Sequence, residues 1–306
     1  MNHEKEVLLN KNFSPEEKES DEQWERVFSE LKAISGMESP SGQEERVRDY
    51  LRGRAADLNI QHQVDQKGNL WFLSDSPDQD VLLCAHMDKI GQGAEISTET
   101  ENDMVRGRLD DSLGISIILG LLQKGLRPRV LFTVEEESQK EVIKGGKTEI
   151  VDRGLPGGVY NAGARFAAEG IASGRTPKPK LIVVVDASTL GKPGDGPLIY
   201  TSSAHFRFPR EPVKDVIRLL KRRNLHAQYL EGKANDAIEF SFIFNQGVMA
   251  VEISTQNLHS QNETASKKDI LDASLIIETI IRNQGGLSEA VEISTHARPK
   301  KGPFNL

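Results

Sequence analysis

The sequence predicts an α/β protein: a three-layer αβα sandwich on a mixed, mostly parallel sheet, folded as a single domain. Two observations carry that expectation. Short apolar runs alternate with stretches of helical periodicity through most of the chain, the pattern of strand–helix–strand units in a largely parallel sheet. The chain has 306 residues, 37% of them hydrophobic, enough apolar mass for a sizeable core. At about 150 residues per domain, that length leaves one large unit or two small ones open. The motif spacing described below decides for one.

The elements follow in order. Ser14-Pro15 opens a helix, serine as cap and proline in the first turn. Trp24, Val27, Leu31 and Ile34 continue it at helical spacing, and Gly36 ends it. Ser41 and Glu44 have the spacing of a capping box, leading a helix with Val47, Leu51 and Leu58 on one face. Residues 70–73 and 81–85 read as strands. A helix over 113–122 sets Leu113, Ile117 and Leu121 in register. A strand at 130–134 and a helix at 162–172 precede the clearest strand, 181–185, almost entirely β-branched. Helices at 213–221 and 237–244, a strand at 248–253, and a helix over 269–281 capped by Ser266 complete the pattern. There is no internal repeat. Residues 1–20 read as a polar N-terminal tail, 21–293 as one α/β domain, and 294–306 as a basic C-terminal tail.

Lys plus Arg number 39 and Asp plus Glu 46, a net charge of −7. That balance argues against a nucleic-acid partner held by a basic surface. No stretch approaches the roughly 18 apolar residues of a membrane helix, and no signal-type apolar segment follows Met1. The expectation is a cytoplasmic protein with no membrane partner. The single cysteine, Cys84, excludes an intrachain disulfide, which fits a reducing compartment. Its place within a strand reads as a buried core position. His205 and His226 stand in no motif and read as surface or structural.

In an open α/β sheet, ligands bind beyond the carboxyl ends of the strands. The residues in those places are chemically pointed. His86-Met87-Asp88 follows the strand at 81–85, Glu135-Glu136-Glu137 follows 130–134, and Asp186 follows 181–185. His259 comes after the strand at 248–253, and Asp110-Asp111 opens the helix at 113. Two imidazoles with several carboxylates suit zinc, with cobalt or manganese as alternatives. The set is too large for one tetrahedral ion with an open position. It fits two divalent ions sharing a carboxylate, about 3.5–4 Å apart.

These pieces resemble a known family. Pro40-Ser41-Gly42-Gln43-Glu44, His86-Met87-Asp88-Lys89-Ile90-Gly91, Leu109-Asp110-Asp111, Phe132 through Glu137, Val185-Asp186, Gly194-Asp195-Gly196-Pro197, Asn235-Asp236-Ala237 and His259-Ser260 with Glu263 stand in this order. They resemble the co-catalytic zinc exopeptidases, and within them the tetrahedral-type glutamyl and deblocking aminopeptidases. The resemblance runs from Pro40 to Glu263. It implies the zinc exopeptidase-like phosphorylase/hydrolase fold, with His86 and Asp186 as ligands of a first metal, Asp110 as the bridging carboxylate, and Glu137 and His259 as ligands of a second. It implies Asp88 as the carboxylate that orients His86, and Glu136 as general base. The register with Glu135 as base and Glu136 as ligand stays open.

The chain also departs from the family. Lys89 stands where the larger aminopeptidases have Glu, and reads either as a solvated lysine or as a rim charge favouring an acidic substrate. Residues 138–161 look like a glycine-rich insertion, placed where a lid over the site would spring. Only 24 positions separate His86 from Asp110, too few for the β-rich domain the family inserts there. A catalytic domain alone is expected, open to forming a homo-oligomer but without the large tetrahedral assembly. The reading is a metallopeptidase that removes amino-terminal residues from short peptides, with Glu135 or Asp111 available for the substrate ammonium. A deacylase or carboxypeptidase on the same metal core, and a non-catalytic binding module, are the alternatives.

Overall fold

A computed structural model describes residues 15–74, 80–90, 99–101, 103–137, 139–144, 147–152, 161–200, 211–230, 235–243 and 247–287. The two tails beyond those bounds, His205 and the Gly154–Gly158 part of the expected insertion lie outside the described residues.

The elements in chain order are α1 (Pro15–Ser35), α2 (Glu45–Asp57), β1 (His62–Val64), β2 (Leu70–Phe72), β3 (Val81–His86), β4 (Glu99–Glu101), β5 (Met104–Gly107), α3 (Ser112–Gln123) and β6 (Arg129–Thr133). Then come β7 (Gln139–Lys144), β8 (Lys147–Asp152), α4 (Ala162–Ala172), β9 (Leu181–Ser188), β10 (Leu198–Tyr200), α5 (Glu211–Arg222), β11 (Gln228–Leu230), α6 (Asp236–Ile243), β12 (Gly247–Gln256), β13 (Glu263–Ser266) and α7 (Lys267–Arg282).

The central order is β1-β2-β6-β3-β9-β12-β13-β5-β4, with β10 and β11 attached beside β12. The β6–β3, β3–β9 and β9–β12 pairs are parallel. The β1–β2, β2–β6, β12–β13, β13–β5 and β5–β4 pairs are antiparallel. The sheet is therefore mixed with a parallel centre, as the sequence predicts. β7 and β8 form a separate antiparallel hairpin inside the expected insertion.

Alternation along the strands divides the core into two layers. Leu181, Val183 and Val185 pack with α1, α2, α3, α5 and α7. Ile182 and Val184 pack with α4 and with Phe240 of α6. α3 is buried over all but its last residue, since it lies between the sheet and the outer helices α1 and α7. The second layer is shallower, and the polar ends of β3 and β9 open into it.

Two expected caps are not formed. Glu44, not Ser41, precedes α2, without a side-chain capping bond. Ser266 does precede α7, but its side chain makes no cap. Strands β1, β4, β5, β10, β11 and β13 escaped the sequence pattern because each has only three or four residues, too few for a period-two signal.

Candidate metal centre

β3 ends on His86, and the neighbouring β9 carries Asp186 on the same face. Cys84 and Val184 pair across these parallel strands, so the residues two positions on stand side by side. β6 delivers the glutamates through a turn in which Glu135 takes φ 54°. Asp110 comes from the link between β5 and α3, and His259 from the loop after β12 with φ 64°.

These segments converge. His86 Nε2 lies 3.1 Å from Asp110 Oδ1 and 3.5 Å from Asp186 Oδ1. His259 Nε2 lies 3.3 Å from Asp110 Oδ2 and 3.1 Å from Glu137 Oε1. The two oxygens of Asp110 are thus divided between two imidazoles. All five residues expected as ligands meet in one place, and Glu136 is half-buried beside them.

The ring contacts say what the cluster is built for. His86 Nδ1 is 2.9 Å from the backbone carbonyl of Asp88. A carbonyl only accepts, so Nδ1 carries the hydrogen. A neutral His86 then presents the Nε2 lone pair to two carboxylates, which is repulsive unless a cation lies between them or the ring takes a proton. The donor atoms of His86, Asp110 and Glu137 lie within 4.8 Å of one another, and so do those of His86, Asp111 and Asp186. The chemistry and spacing of these donors fit divalent cations.

Titration behaviour points the same way. Burial alone would lower the His86 pKa, but bonds to Asp110, Asp186 and Asp88 outweigh it and hold it well above the usual value. For His259, burial is likewise outweighed by Asp110 and Glu137, and the pKa is pushed up to about 10. Glu137 is raised to about 7 by burial and by the charge of Asp110. Burial and the adjacent Glu137 hold Glu136 well above the carboxylate range. Asp110 goes the other way: both imidazoles overcome its burial and hold it low.

Asp88 meets the His86 ring twice, the expected carboxylate contact being the longer: its backbone carbonyl accepts from Nδ1 at 2.9 Å, and its carboxylate Oδ1 lies 3.5 Å from the same nitrogen. The carboxylate also has closer partners. Oδ1 accepts the N–H of Glu136 at 3.0 Å, and Oδ2 accepts the N–H of Glu137 at 2.9 Å and the Ser41 hydroxyl at 2.5 Å. Ser41 is therefore a support of the site, not a helix cap. Glu44 acts alike: its Oε1 accepts the N–H groups of Gly42 and Glu135. Behind the glutamates, the N–H groups of Asn161, Ala162 and Gly163 bond the carbonyls of Glu136, Glu135 and Val134. Gly163 permits this approach, since a Cβ there would stand 2.6 Å from Val134 N.

Other residues land differently from their sequence reading. Lys89 is neither solvated nor at a rim: it is buried, and its Nζ donates to the carbonyls of Ile34 and Met37 where α1 ends. Glu135 turns away to Lys67 at 2.6 Å. Asp111 is buried, accepting the N–H groups of Gly114 and His86. Asn235 Oδ1 accepts the N–H of Ala237, the capping role considered for it. Asp236 receives the Thr133 hydroxyl, with the buried Cys84 thiol 3.8 Å away. His226 bonds the Asp195 carbonyl, a structural role. Ser41, Glu44 and Glu263 had no assigned site chemistry in the sequence; beyond the capping-box spacing of Ser41 and Glu44, their signal was membership of the ordered motifs.

No protein-family model matches the chain. Over 68 residues, 21% of this chain, it is 32% identical to a glutamyl aminopeptidase of Lactococcus lactis subsp. cremoris (strain MG1363); the match spans 19% of that protein's length. Among solved structures, it is similar to the TET1 peptidase of Pyrococcus horikoshii, which can assemble into a tetrahedron or a large octahedral shell. That similarity has a TM-score of 0.63 and 18% identity, covering 83% of this chain and 99% of the other. The TET aminopeptidase of Thaumarchaeota archaeon SCGC AB-539-E09 gives 0.66 at 15% identity, over 84% and 96%. The aminopeptidase PepT of Bacillus cereus ATCC 10987 gives 0.65 at 12% identity, over 86% and 99%. The chain adopts the α/β fold of these peptidases.

Proposed function

We propose that the chain is a two-metal aminopeptidase acting on short peptides. His86, Asp110 and Asp186 would hold one divalent cation, and Asp110, Glu137 and His259 the other, zinc being the natural ion for this donor set and cobalt or manganese substitutes. The observation that carries the reading is the division of the Asp110 oxygens between His86 and His259. When bound, such cations polarise a scissile carbonyl and acidify the attacking water.

The chain's own residues supply the rest. Glu136 takes the proton of the attacking water on its carboxylate and returns it to the leaving nitrogen as the C–N bond breaks. Its burial beside Glu137 raises its proton affinity above that of a free carboxylate, the direction that favours a proton acceptor. Asp88 holds the turn that carries Glu136 and Glu137 through their N–H groups. Glu135, paired with Lys67, leaves Glu136 as the base. The β7–β8 hairpin begins two residues after Glu137, and we read it as a cover for the site.

One observation supports a second reading. Glu135 bonds Lys67 and Asp111 caps α3, so both carboxylates expected to receive a substrate ammonium are engaged. A deacylase or carboxypeptidase on the same core needs no such anchor. The shell of the Pyrococcus horikoshii protein is not extended to this chain, because 24 positions between His86 and Asp110 leave no room for an assembly domain. Among the described residues no helix is long and apolar enough to cross a membrane.

Metal content and a substrate panel test the proposal together. Two ions per chain after reconstitution, with release of amino-terminal residues from short peptides, are expected. Cleavage of N-acyl amino acids but not free-amine peptides would favour the second reading. Zero bound metal would favour a non-catalytic module and overturn both.

A further inference from the structure

Glu263 opens β13 and is 2% exposed. The β13–β5 register sets it opposite Gly107, so its side chain reaches the segment just beyond β5. There Oε2 accepts the N–H groups of Leu109 and of Asp110, the latter at 3.0 Å. Its other oxygen, Oε1, accepts the N–H of His259 at 2.7 Å. One carboxylate therefore joins the backbones of two segments, 109–110 and 259, that no strand pairing joins. Each segment delivers one partner of the 3.3 Å contact between Asp110 Oδ2 and His259 Nε2.

We propose that Glu263 is a positioning residue that sets the span between Asp110 and His259, and with it the affinity of that half of the centre for its cation. The inference rests on the two-metal reading above. His86 and Asp186 hang on β3 and β9, whose spacing the parallel sheet fixes without help. His259 has no such frame, because it sits in a loop with a left-handed backbone. A residue with φ near +60° costs conformational energy and persists only where its surroundings over-determine it; the bond from its N–H to Glu263 supplies that hold. Asp88 plays the corresponding part on the opposite side by receiving the N–H groups of Glu136 and Glu137, so each loose segment of the centre is anchored by a buried carboxylate outside the five expected ligands.

The test is a metal titration of Glu263→Gln against wild type and a control, Asp269→Asn. The substituted amide would offer one acceptor oxygen and one donor group to three N–H groups, so at least one bond is lost. Asp269 also receives two backbone N–H groups, from Gly194 and Gly196, away from the centre, so its variant reports a general loss of buried support. Zinc binding is measured on stripped protein by competition with a chromophoric chelator. Glu263→Gln is expected to keep one ion at wild-type affinity and to bind the second about 10–100-fold more weakly, while Asp269→Asn keeps both. If both ions bind within about threefold of wild type in Glu263→Gln, or weaken equally, the positioning role is overturned. Wild-type protein that takes up fewer than two ions would instead overturn the two-metal reading. If Glu263→Gln does not accumulate folded, Glu263→Asp, whose carboxylate is one methylene short, carries the same comparison and the same expectation.

Discussion

The carboxylate of Asp88 accepts the backbone N–H of Glu136 at 3.0 Å, so a residue two positions beyond one histidine holds the turn that follows β6. Asp88→Asn replaces one acceptor oxygen with a donor facing the N–H groups of Glu136 and Glu137 or the Ser41 hydroxyl. Metal affinity or kcat/KM is expected to fall about 10–100-fold, with kcat/KM measured on a peptide substrate. Ser41→Ala removes one bond to the same charged group and should cost about 1.5–3 kcal/mol of stability. Urea unfolding measures it, and an unchanged midpoint would show that the Ser41 bond contributes nothing.

Glu136→Gln separates binding from chemistry. The amide cannot take a proton, so turnover should fall by about 10²–10⁴-fold while metal content per chain stays at the wild-type number. A variant retaining more than about a tenth of wild-type turnover would move the base to another residue.

Gly163→Ala presses on the glutamate turn from behind. The added methyl would meet the backbone of Val134 and push α4 away from the carbonyls of Val134, Glu135 and Glu136. Overpacking of this kind costs about 1–3 kcal/mol. A lower thermal midpoint with reduced kcat is expected; a normal midpoint would mean that α4 yields without strain.

Lys89 gives stability a pH dependence of definite sign. Burial, and then the charge of Arg108, push its pKa down to about 7 from 10.5. Between these values the unfolded chain holds the proton and the folded chain does not. Its contribution to stability therefore grows as pH rises through that window, by about 1.4 kcal/mol per unit, and is lost as pH falls toward 7. Between pH 7.5 and 9.5, the unfolding free energies of wild type and Lys89→Met should diverge by on the order of 2 kcal/mol. Parallel curves for the two proteins would sink the assignment.

Much of the centre was legible because its chemistry sits at places local pattern marks. His86, Glu137 and Asp186 follow apolar runs, and the carboxyl edge of a parallel sheet is where such ends gather. The supports were not legible. Ser41 bonds Asp88 across 47 positions and Glu263 bonds Leu109 across 154, and nothing in a serine or glutamate announces a partner so distant. Ser41 and Glu44 even carried a competing local signal, a capping box that the tertiary structure put to another use.

The alternation of β-branched runs with helical stretches determined the α/β class, the parallel centre and the identity of the residues at the strand ends, because hydrophobic period is a property of neighbouring residues. Tertiary structure alone decided which charged side chain faces the centre and which turns away: Glu135 to Lys67, Lys89 to the end of α1, Asp111 into the cap of α3. Those choices depend on sheet register and on which buried donors need an acceptor, and both are settled only when segments far apart in the chain are packed together.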